Sequence, residues 1–181
     1  MTNRLVPLEP PFAAELEQIL EGYPKKDGYL LSLFRTFANS LRFLEKGVPN
    51  LLDNNSPLPL RIREVVILRT TANRNCEYEW GVHVSVFSEA AGLTETQVQA
   101  TLQNGATCWS SEERRLISAV DQLCDSGLLD RQTLTDFQTD WTCEQQLEIM
   151  ALIGTYSTIS YVANVAQLPP ETFSVSFPGI A

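Results

Sequence analysis

The sequence predicts an all-α protein that forms a single domain over residues 1–181. Apolar residues recur at helical spacing in segments that end at Gly or Pro. Capping-box pairs of the type Ser/Thr-x-x-Glu/Gln stand before several later segments, as is typical of helix starts. No alternation of apolar and polar residues and no hairpin pattern supports a strand. A chain of this length can bury a sizeable core.

The N-terminal part, residues 12–46, is predicted to hold two helices. The first is a short amphipathic helix over residues 12–21, which follows a pair of prolines. The second is longer and covers residues 29–46, and Gly47 closes it. A loop rich in Asn and Pro, residues 49–59, leads into the central part of the chain.

The central and C-terminal parts continue the helical pattern. A helix is predicted over residues 60–72, where period and length favour a helix although three consecutive β-branched residues could suggest a strand. The next helix covers residues 76–91 and ends at Gly92. Residues 169–181 are predicted to be an irregular tail that packs as an extended arm. Later helices are expected to start at the capping boxes Thr94 with Gln97, Ser110 with Glu113 and Thr142 with Gln145, and at the N-cap Asp130.

Charge and composition exclude several classes of partner. The formal net charge is -9, which argues against nucleic acid or an anionic membrane surface as a partner. The segment from Ile149 to Pro170 contains no charged residue, but its many hydroxyl and amide side chains argue against a membrane span. A helix without charge on any face is expected inside a bundle or at a subunit interface.

The cysteines indicate a reducing environment. The chain has four cysteines, none of them in a C-x-x-C pair, and its first residues contain no apolar leader segment. We therefore expect a cytoplasmic protein with free thiols. Its single histidine excludes a His-rich zinc or iron site, and the sequence indicates no cofactor.

Residues 75–83, NCEYEWGVH, carry the most chemistry. On one helix Cys76, Glu79 and His83 fall within roughly 60° of each other on a single face. With Asn75 as a candidate N-cap, Cys76 would sit in the first turn, where the helix dipole favours a thiolate. A thiol, a carboxylate and an imidazole on one face predict thiol or proton-transfer chemistry. The alternative is that each of these residues is only structural.

Four arginines precede this motif, at positions 61, 63, 69 and 74. An acidic substrate would need a local cluster of the chain's few basic residues, and these four arginines could supply one. The alternative, which we favour at this stage, is a solvated helix face that forms salt bridges at an interface.

Glu64 lies twelve residues before Cys76, so that Glu64, Cys76 and His83 form the pattern E-x11-C-x6-H. This pattern resembles the core motif of the carboxymuconolactone decarboxylase family, which includes the alkylhydroperoxidase D-like proteins. The resemblance extends over about residues 57–168 of the chain. The resemblance implies an alkylhydroperoxidase D-like helical bundle that assembles as trimers or hexamers. The peroxidase branch has E-x11-C-x2-C-x3-H, whereas here Glu79 replaces the second cysteine and gives the E-x3-H of the decarboxylase branch.

The resemblance leaves three functions open. In the first, Cys76 reduces a hydroperoxide, Glu64 and His83 move protons, and an external thiol acts as reductant. In the second, Glu79 and His83 perform acid-base chemistry on a small carboxylated, lactone-like substrate, and Cys76 only lines the pocket. In the third, the chain is a helical scaffold without enzymatic activity. Both enzymatic hypotheses imply a small-molecule substrate.

Overall fold

The computed structural model describes residues 4–179 and confirms the all-α prediction. Residues 1–3, and residues 180–181 at the end of the predicted tail, lie outside the described residues. The elements are α1 (Ala14–Leu20), β1 (Lys25–Lys26), β2 (Tyr29–Leu30), α2 (Ser32–Phe37), α3 (Leu41–Lys46), α4 (Leu60–Asn73), α5 (Glu77–Phe87), α6 (Glu95–Ala100), α7 (Ser111–Ser126), α8 (Arg131–Asp140) and α9 (Cys143–Ala166).

Helix α4 forms the centre of the bundle and packs against α5, α7 and α9. Four consecutive residues from Val65 to Leu68 are completely buried, so α4 is covered on every face. This explains why the sequence in this region shows little helical periodicity, because a helix that is buried all round has no polar side. The prediction of a helix over residues 60–72, which rested on period and length, is confirmed, and length was the more informative of the two signals.

The prediction of one helix over residues 29–46 is wrong, because the chain there forms α2 and α3 with a break between them. Ser40 has an extended backbone, and its hydroxyl accepts a hydrogen bond from the N–H of Phe43 at 3.2 Å. It is therefore the N-cap of a new helix. A serine within an apolar periodic segment was the available signal for this break.

A two-stranded antiparallel hairpin, formed by β1 and β2, also contradicts the prediction that no hairpin is present. Its turn residues, Asp27 and Gly28, both have positive φ angles, 51° and 81°. A tight hairpin turn of this type needs positive φ at both positions, and Asp-Gly is a pair that tolerates it. The Asp-Gly signal was present, but the strands of two residues are too short to show alternation.

The predicted helix starts in the second half of the chain are confirmed by hydrogen bonds. In each of the three capping boxes, the hydroxyl of the N-cap residue accepts a hydrogen bond from the backbone N–H of the Glu or Gln three positions later. The side chain of that Glu or Gln accepts a hydrogen bond from the backbone N–H of the N-cap residue. Asp130 similarly caps α8 by accepting from the N–H of Thr133 at 2.8 Å. These local signals are reliable because both partners lie within four residues of each other.

Residues 170–179, named here the C-terminal strap, cross the outer side of α5 as an extended arm. The N–H of Val175 donates to the Ser85 hydroxyl at 3.1 Å, and the N–H of Phe177 donates to Glu77 at 2.7 Å. The Phe177 ring meets Trp80 edge-on at 5.2 Å between ring centroids. The strap therefore covers the helix that carries most of the sequence motif.

Helix α9 has the length and apolar composition of a membrane span, but 56% of its most apolar window is buried inside the bundle. It packs against α4, α5, α7 and α8, as the core helix of a folded domain does. We therefore assign α9 to the core, in agreement with the expectation from its uncharged sequence.

Candidate active site

The turn between α4 and α5 places Cys76. Asn75 has a left-handed backbone with φ of 51°, and the N–H of Cys76 donates to the carbonyl of Thr71 at 2.9 Å. This arrangement ends α4 in a Schellman motif, for which asparagine is one of the suitable residues. Cys76 itself is then the N-cap of α5. The predictions of Asn75 as N-cap and of Cys76 within the first turn are wrong by one residue.

Burial controls the state of the Cys76 thiol. The residue is completely buried, and burial raises its pKa to about 11. The backbone N–H of Glu79 and the hydroxyl of Ser160 oppose this shift, whereas the negative charge of Glu79 adds to it. The expectation that the helix N-terminus favours a thiolate is therefore outweighed by desolvation, and the resting thiol is protonated.

His83 is held between two carboxylates. Its Nδ1 lies 2.8 Å from Oε2 of Glu64, and its Nε2 lies 3.4 Å from Oε1 of Glu79. Glu64 comes from α4, whereas Glu79 lies one turn earlier on the same helix as His83. The three residues, named here the carboxylate–imidazole triad, are at most 5% exposed. Glu64 thus contacts the imidazole directly, which pairs the two residues to which the peroxidase hypothesis gives the proton relay.

The triad keeps the imidazole charged. Burial by itself lowers the pKa of His83, but the charge and hydrogen bond of Glu64, followed by those of Glu79, raise it to about 10. At neutral pH the triad therefore holds an imidazolium between two carboxylates.

Two carboxylate oxygens of the triad are unsatisfied. Oε1 of Glu64 and Oε2 of Glu79 are buried without a hydrogen-bond partner among the described residues. An unpaired buried acceptor costs about 1–3 kcal/mol, so such atoms need an explanation. They are suitable positions to receive a proton or a donor group of a bound molecule.

Tyr156 and Ser160 of α9 belong to this site, although the sequence analysis did not single them out. The Tyr156 ring stands perpendicular to the His83 ring at 5.0 Å, and the Ser160 hydroxyl lowers the pKa of Cys76. Burial, then the charges of Glu79 and Glu64, raise the pKa of Tyr156 well above its usual value. The sequence contains no distinct signal for them, because the same helix carries several other hydroxyl side chains.

The four arginines do not form a basic cluster. Arg63 and Arg69 are only 8% and 3% exposed, so the hypothesis of a solvated face is wrong for both. The arginines bind different groups: Arg61 contacts Glu113, Arg69 contacts Asp121, Arg74 contacts Ser157, and Arg63 contacts the carbonyl of Asp53. Three of them therefore tie α4 to neighbouring helices, and Arg63 holds the preceding loop.

Access to the thiol is restricted. A cleft of about 380 Å³ lies where α5 begins and α9 ends, lined in part by Asn75, Tyr78 and Asn164. Cys76 is adjacent to these residues in the chain but is itself buried. A substrate therefore needs a local opening to reach the sulfur. Among the described residues no group of His, Cys, Asp and Glu side chains is arranged to hold a metal ion.

Several solved structures are similar to this chain. A peroxidase-related protein from Silicibacter sp. TM1040 has 15% identity and a TM-score of 0.77, covering 98% of this chain and 99% of that one. The debrominase Bmp8 has 17% identity and a TM-score of 0.76, covering 95% and 94%. A putative antioxidant defence protein AhpD from Agrobacterium tumefaciens has 19% identity and a TM-score of 0.60, covering 65% and 82%. At these identities the likeness establishes the fold.

The sequence itself also has a family match. Residues 41–122 match the model of the carboxymuconolactone decarboxylase family, a stretch that includes Glu64, Cys76, Glu79 and His83. A search of curated proteins gave no match. The family match agrees with the helical fold and with its AhpD-like structural neighbours. Residues 41–122 are therefore similar to the carboxymuconolactone decarboxylase family, and the solved structures share the helical fold of the chain.

Proposed function

We propose that this protein is a thiol-dependent peroxidase in which Cys76 reduces a hydroperoxide. The observation that carries the proposal is a row of buried groups that starts at the thiol. Glu79 lies near enough to Cys76 to raise its pKa, and Glu79 in turn contacts His83, which contacts Glu64. This row can take up the thiol proton and return it without involving bulk water.

The resting thiol is protonated, so the relay must act when the substrate is bound. The thiol proton passes to a carboxylate of the row, and the sulfur attacks the terminal peroxide oxygen. The O–O bond breaks as an S–O bond forms, and the alcohol leaves with the returned proton. The products are a Cys76 sulfenic acid and one alcohol.

An external reductant is needed to close the cycle, because Glu79 stands where the peroxidase branch has a second cysteine. One external thiol converts the sulfenic acid to a mixed disulfide and releases water. A second external thiol then releases Cys76 as a thiol and leaves as a disulfide. Three of the structural neighbours support redox chemistry as a class, being described as an antioxidant defence protein, a peroxidase-related protein and a debrominase.

Acid-base chemistry is the second candidate, and a specific observation favours it. The pKa of Cys76 is raised to about 11, whereas the triad offers a charged imidazole and two carboxylate oxygens without partners. A decarboxylase or related lyase would use Glu79 and His83 on a small carboxylated, lactone-like substrate, with Cys76 as a wall of the pocket. A helical scaffold without activity is the third.

Peroxide consumption in the presence of dithiothreitol separates these candidates. If the thiol performs the chemistry, Cys76→Ser abolishes turnover, whereas Cys143→Ser leaves it unchanged because Cys143 is an exposed thiol outside the row. Mass spectrometry should then find oxidation at Cys76 at stoichiometric hydroperoxide. Full activity of Cys76→Ser would overturn the proposal.

Substrate panels test the alternatives with the same variants. Turnover of a carboxylated lactone that survives in Cys76→Ser but is lost in Glu79→Gln and His83→Asn would establish the acid-base function. Since one neighbour is a debrominase, and a cysteine-to-alanine variant of it was solved with 2,3,4-tribromopyrrole, bromopyrroles belong in the panel. No turnover of any substrate, with equal effects of all variants, would support the scaffold.

A further inference from the structure

The cleft beside Cys76 has one wall outside the helical bundle. The start of α5 and the end of α9 form two sides of the cleft, and Leu168 and Pro170, where the chain passes from α9 into the strap, form the third. Helices α5 and α9 pack against each other and against α4, whereas the strap contains no helix or strand. The third side is therefore the one that can move without separating packed helices.

The two helical sides are tied together at the turn before Cys76. The side-chain amide of Asn164 in α9 donates to the carbonyl of Arg74 at 2.9 Å. Asn164 lines the cleft and lies one helical turn after Ser160, whose hydroxyl belongs to the surroundings of the thiol. The cleft therefore leads toward the sulfur, and the strap bounds the side that is not fixed in this way.

Glu171 attaches the strap next to this cleft. Its Oε1 accepts hydrogen bonds from the Tyr78 hydroxyl at 2.6 Å and from the N–H of Ser32, the first residue of α2, at 2.7 Å. Tyr78 itself lines the cleft, and its hydroxyl accepts from the N–H of Leu33 at 3.2 Å. One carboxylate thus joins the strap to both α5 and α2.

This attachment is polar, although it is buried. Glu171 is 8% exposed, whereas the other residues of the strap are exposed or half-buried. Burial, followed by the hydrogen bond and charge of Glu171, raises the pKa of Tyr78, so the phenol remains protonated and donates to the carboxylate. When the strap lifts, water can replace both donors at the carboxylate, so that the net cost of opening stays small. A segment with few buried side chains opens at a lower free energy than the bundle unfolds.

We propose that the strap is the movable wall of the route to Cys76 and that Glu171 and Tyr78, named here the latch, hold it closed and thereby determine which molecules reach the sulfur. The latch residues lie beside the route and do not take part in the chemistry at the thiol. Access to Cys76 then depends on the population of the open strap.

Alkylation of Cys76 by iodoacetamide in the full chain, followed by peptide mass spectrometry at fixed pH, measures this access. Glu171→Ala removes the acceptor of both hydrogen bonds and should speed Cys76 alkylation by about tenfold or more, because labelling follows the open population. Glu171→Gln is the matched control, since its amide oxygen can accept both hydrogen bonds, and it should stay closer to the parent. An unchanged rate at Cys76 in Glu171→Ala would overturn the proposal.

Two other cysteines separate local opening from general destabilisation. Cys124 is also buried, but it lies on α7, which packs against α4, α8 and α9. Cys143 is exposed and reports the reactivity of the reagent. In Glu171→Ala only Cys76 should react faster. If Cys124 accelerates to the same extent as Cys76, Glu171 merely stabilises the fold and the latch is refuted.

Tyr78→Phe is a milder change that keeps the test decisive if Glu171→Ala does not fold. It retains the ring and removes only the hydroxyl that donates to Glu171, while the hydrogen bond from Ser32 remains. Cys76 should then be alkylated several-fold faster than in the parent, with Cys124 unchanged. Equal Cys76 rates in Tyr78→Phe and the parent would exclude the latch.

Substrate selection by the latch rests on the proposed peroxidase function, but access to the sulfur does not. If Cys76 reduces hydroperoxides, Glu171→Ala should favour cumene hydroperoxide over hydrogen peroxide, because the larger molecule needs the wider opening. An unchanged ratio of the two rates would overturn this selection. If neither parent nor variants consume peroxide while Cys76 alkylation responds to the latch, the peroxidase proposal falls and the movable wall stands. Peroxide consumption with unresponsive alkylation would refute the latch alone.

Discussion

At the residue scale, position and burial act on Cys76 in opposite directions. The thiol lies at a helix N-terminus, which favours its ionised form, but it is completely buried beside Glu79. The structure shows that burial is the larger effect. The outcome for His83 is the reverse. Burial lowers the pKa of its imidazole, but Glu64 and Glu79 together raise that pKa by more. The same desolvation thus leaves one group neutral and the other charged, according to its neighbours.

The first prediction concerns the thiol. We expect Cys76 to be alkylated more slowly at pH 8 than the exposed Cys143, because its pKa is raised to about 11. Glu79→Gln should lower the apparent pKa of Cys76 by about one unit, since it removes the nearby negative charge. Peptide mass spectrometry of alkylation across pH measures both effects. Fastest alkylation at Cys76 would contradict this account of the resting site.

At the element scale, α5 is fixed from both sides, by α4 and α9 within the bundle and by the strap outside it. Gly81 is the point of closest approach, because a Cβ there would lie 2.1 Å from the carbonyl oxygen of Val175. The sequence shows Gly81 only as a glycine inside a helix. Its role depends on a segment more than ninety residues later in the chain.

The second prediction uses this contact. Gly81→Ala should destabilise the protein by about 2 kcal/mol, because the strap must move away from the added methyl group. Gly154→Ala is the matched control, since a Cβ at Gly154 meets nothing within 4 Å and alanine favours the helix by up to about 1 kcal/mol. Urea unfolding measures both changes.

Removal of the strap should change the sign of the Gly81 effect. In a variant that ends at Gln167, Gly81→Ala should become neutral or stabilising, because only the helix propensity remains. If the same substitution destabilises the shortened and the full chain equally, the clash with Val175 is not the cause.

At the scale of the whole molecule, two properties go beyond any single site. The buried triad links stability to pH, because His83 binds a proton more tightly in the folded protein than in the unfolded chain. The exposed apolar side chains of α9, which include Leu147, Met150, Tyr161 and Val165, lie on a helix with no charge in its second half. Such a surface is typical of an interface between copies.

The third prediction concerns pH. The His83 pKa rises from 6.5 in the unfolded chain to about 10 in the folded protein. Its contribution to stability is therefore complete below pH 6.5 and is lost as the pH rises through 10. Between these values the free energy of unfolding should fall by up to about 1.4 kcal/mol per pH unit relative to His83→Gln. Parallel pH curves for the two proteins would argue against a charged triad.

The fourth prediction is self-association through α9, which we propose as the interface of a homo-oligomer, a trimer or hexamer by family resemblance. Light scattering at micromolar concentration should give a multiple of the 20.2 kDa chain mass. Val165→Glu should reduce that mass, because it introduces a charge into the apolar surface. Leu128→Glu should not, although Leu128 is as exposed as Val165, at 72% against 73%. A monomeric parent protein would exclude the proposal.

The sequence by itself determined three things: the helical class, the starts of the later helices, and the four residues of the motif that the candidate site contains. Capping boxes and the spacing of Glu64, Cys76, Glu79 and His83 are local patterns, and local patterns persist whatever surrounds them. The helix break at Ser40 and the turn at Asp27 were also local, but they were hidden within apolar or very short segments.

Only the tertiary structure decided the chemistry of these residues. Contacts from α9 brought Tyr156 and Ser160 to the site, and burial reversed the expected ionisation of Cys76. The different partners of the arginines likewise depend on the tertiary structure, because Arg61 and Arg69 contact carboxylates of α7 whereas Arg63 contacts a carbonyl of the preceding loop. A pKa is set by desolvation and by charges that are distant in the chain, and neither quantity can be read from the spacing of residues.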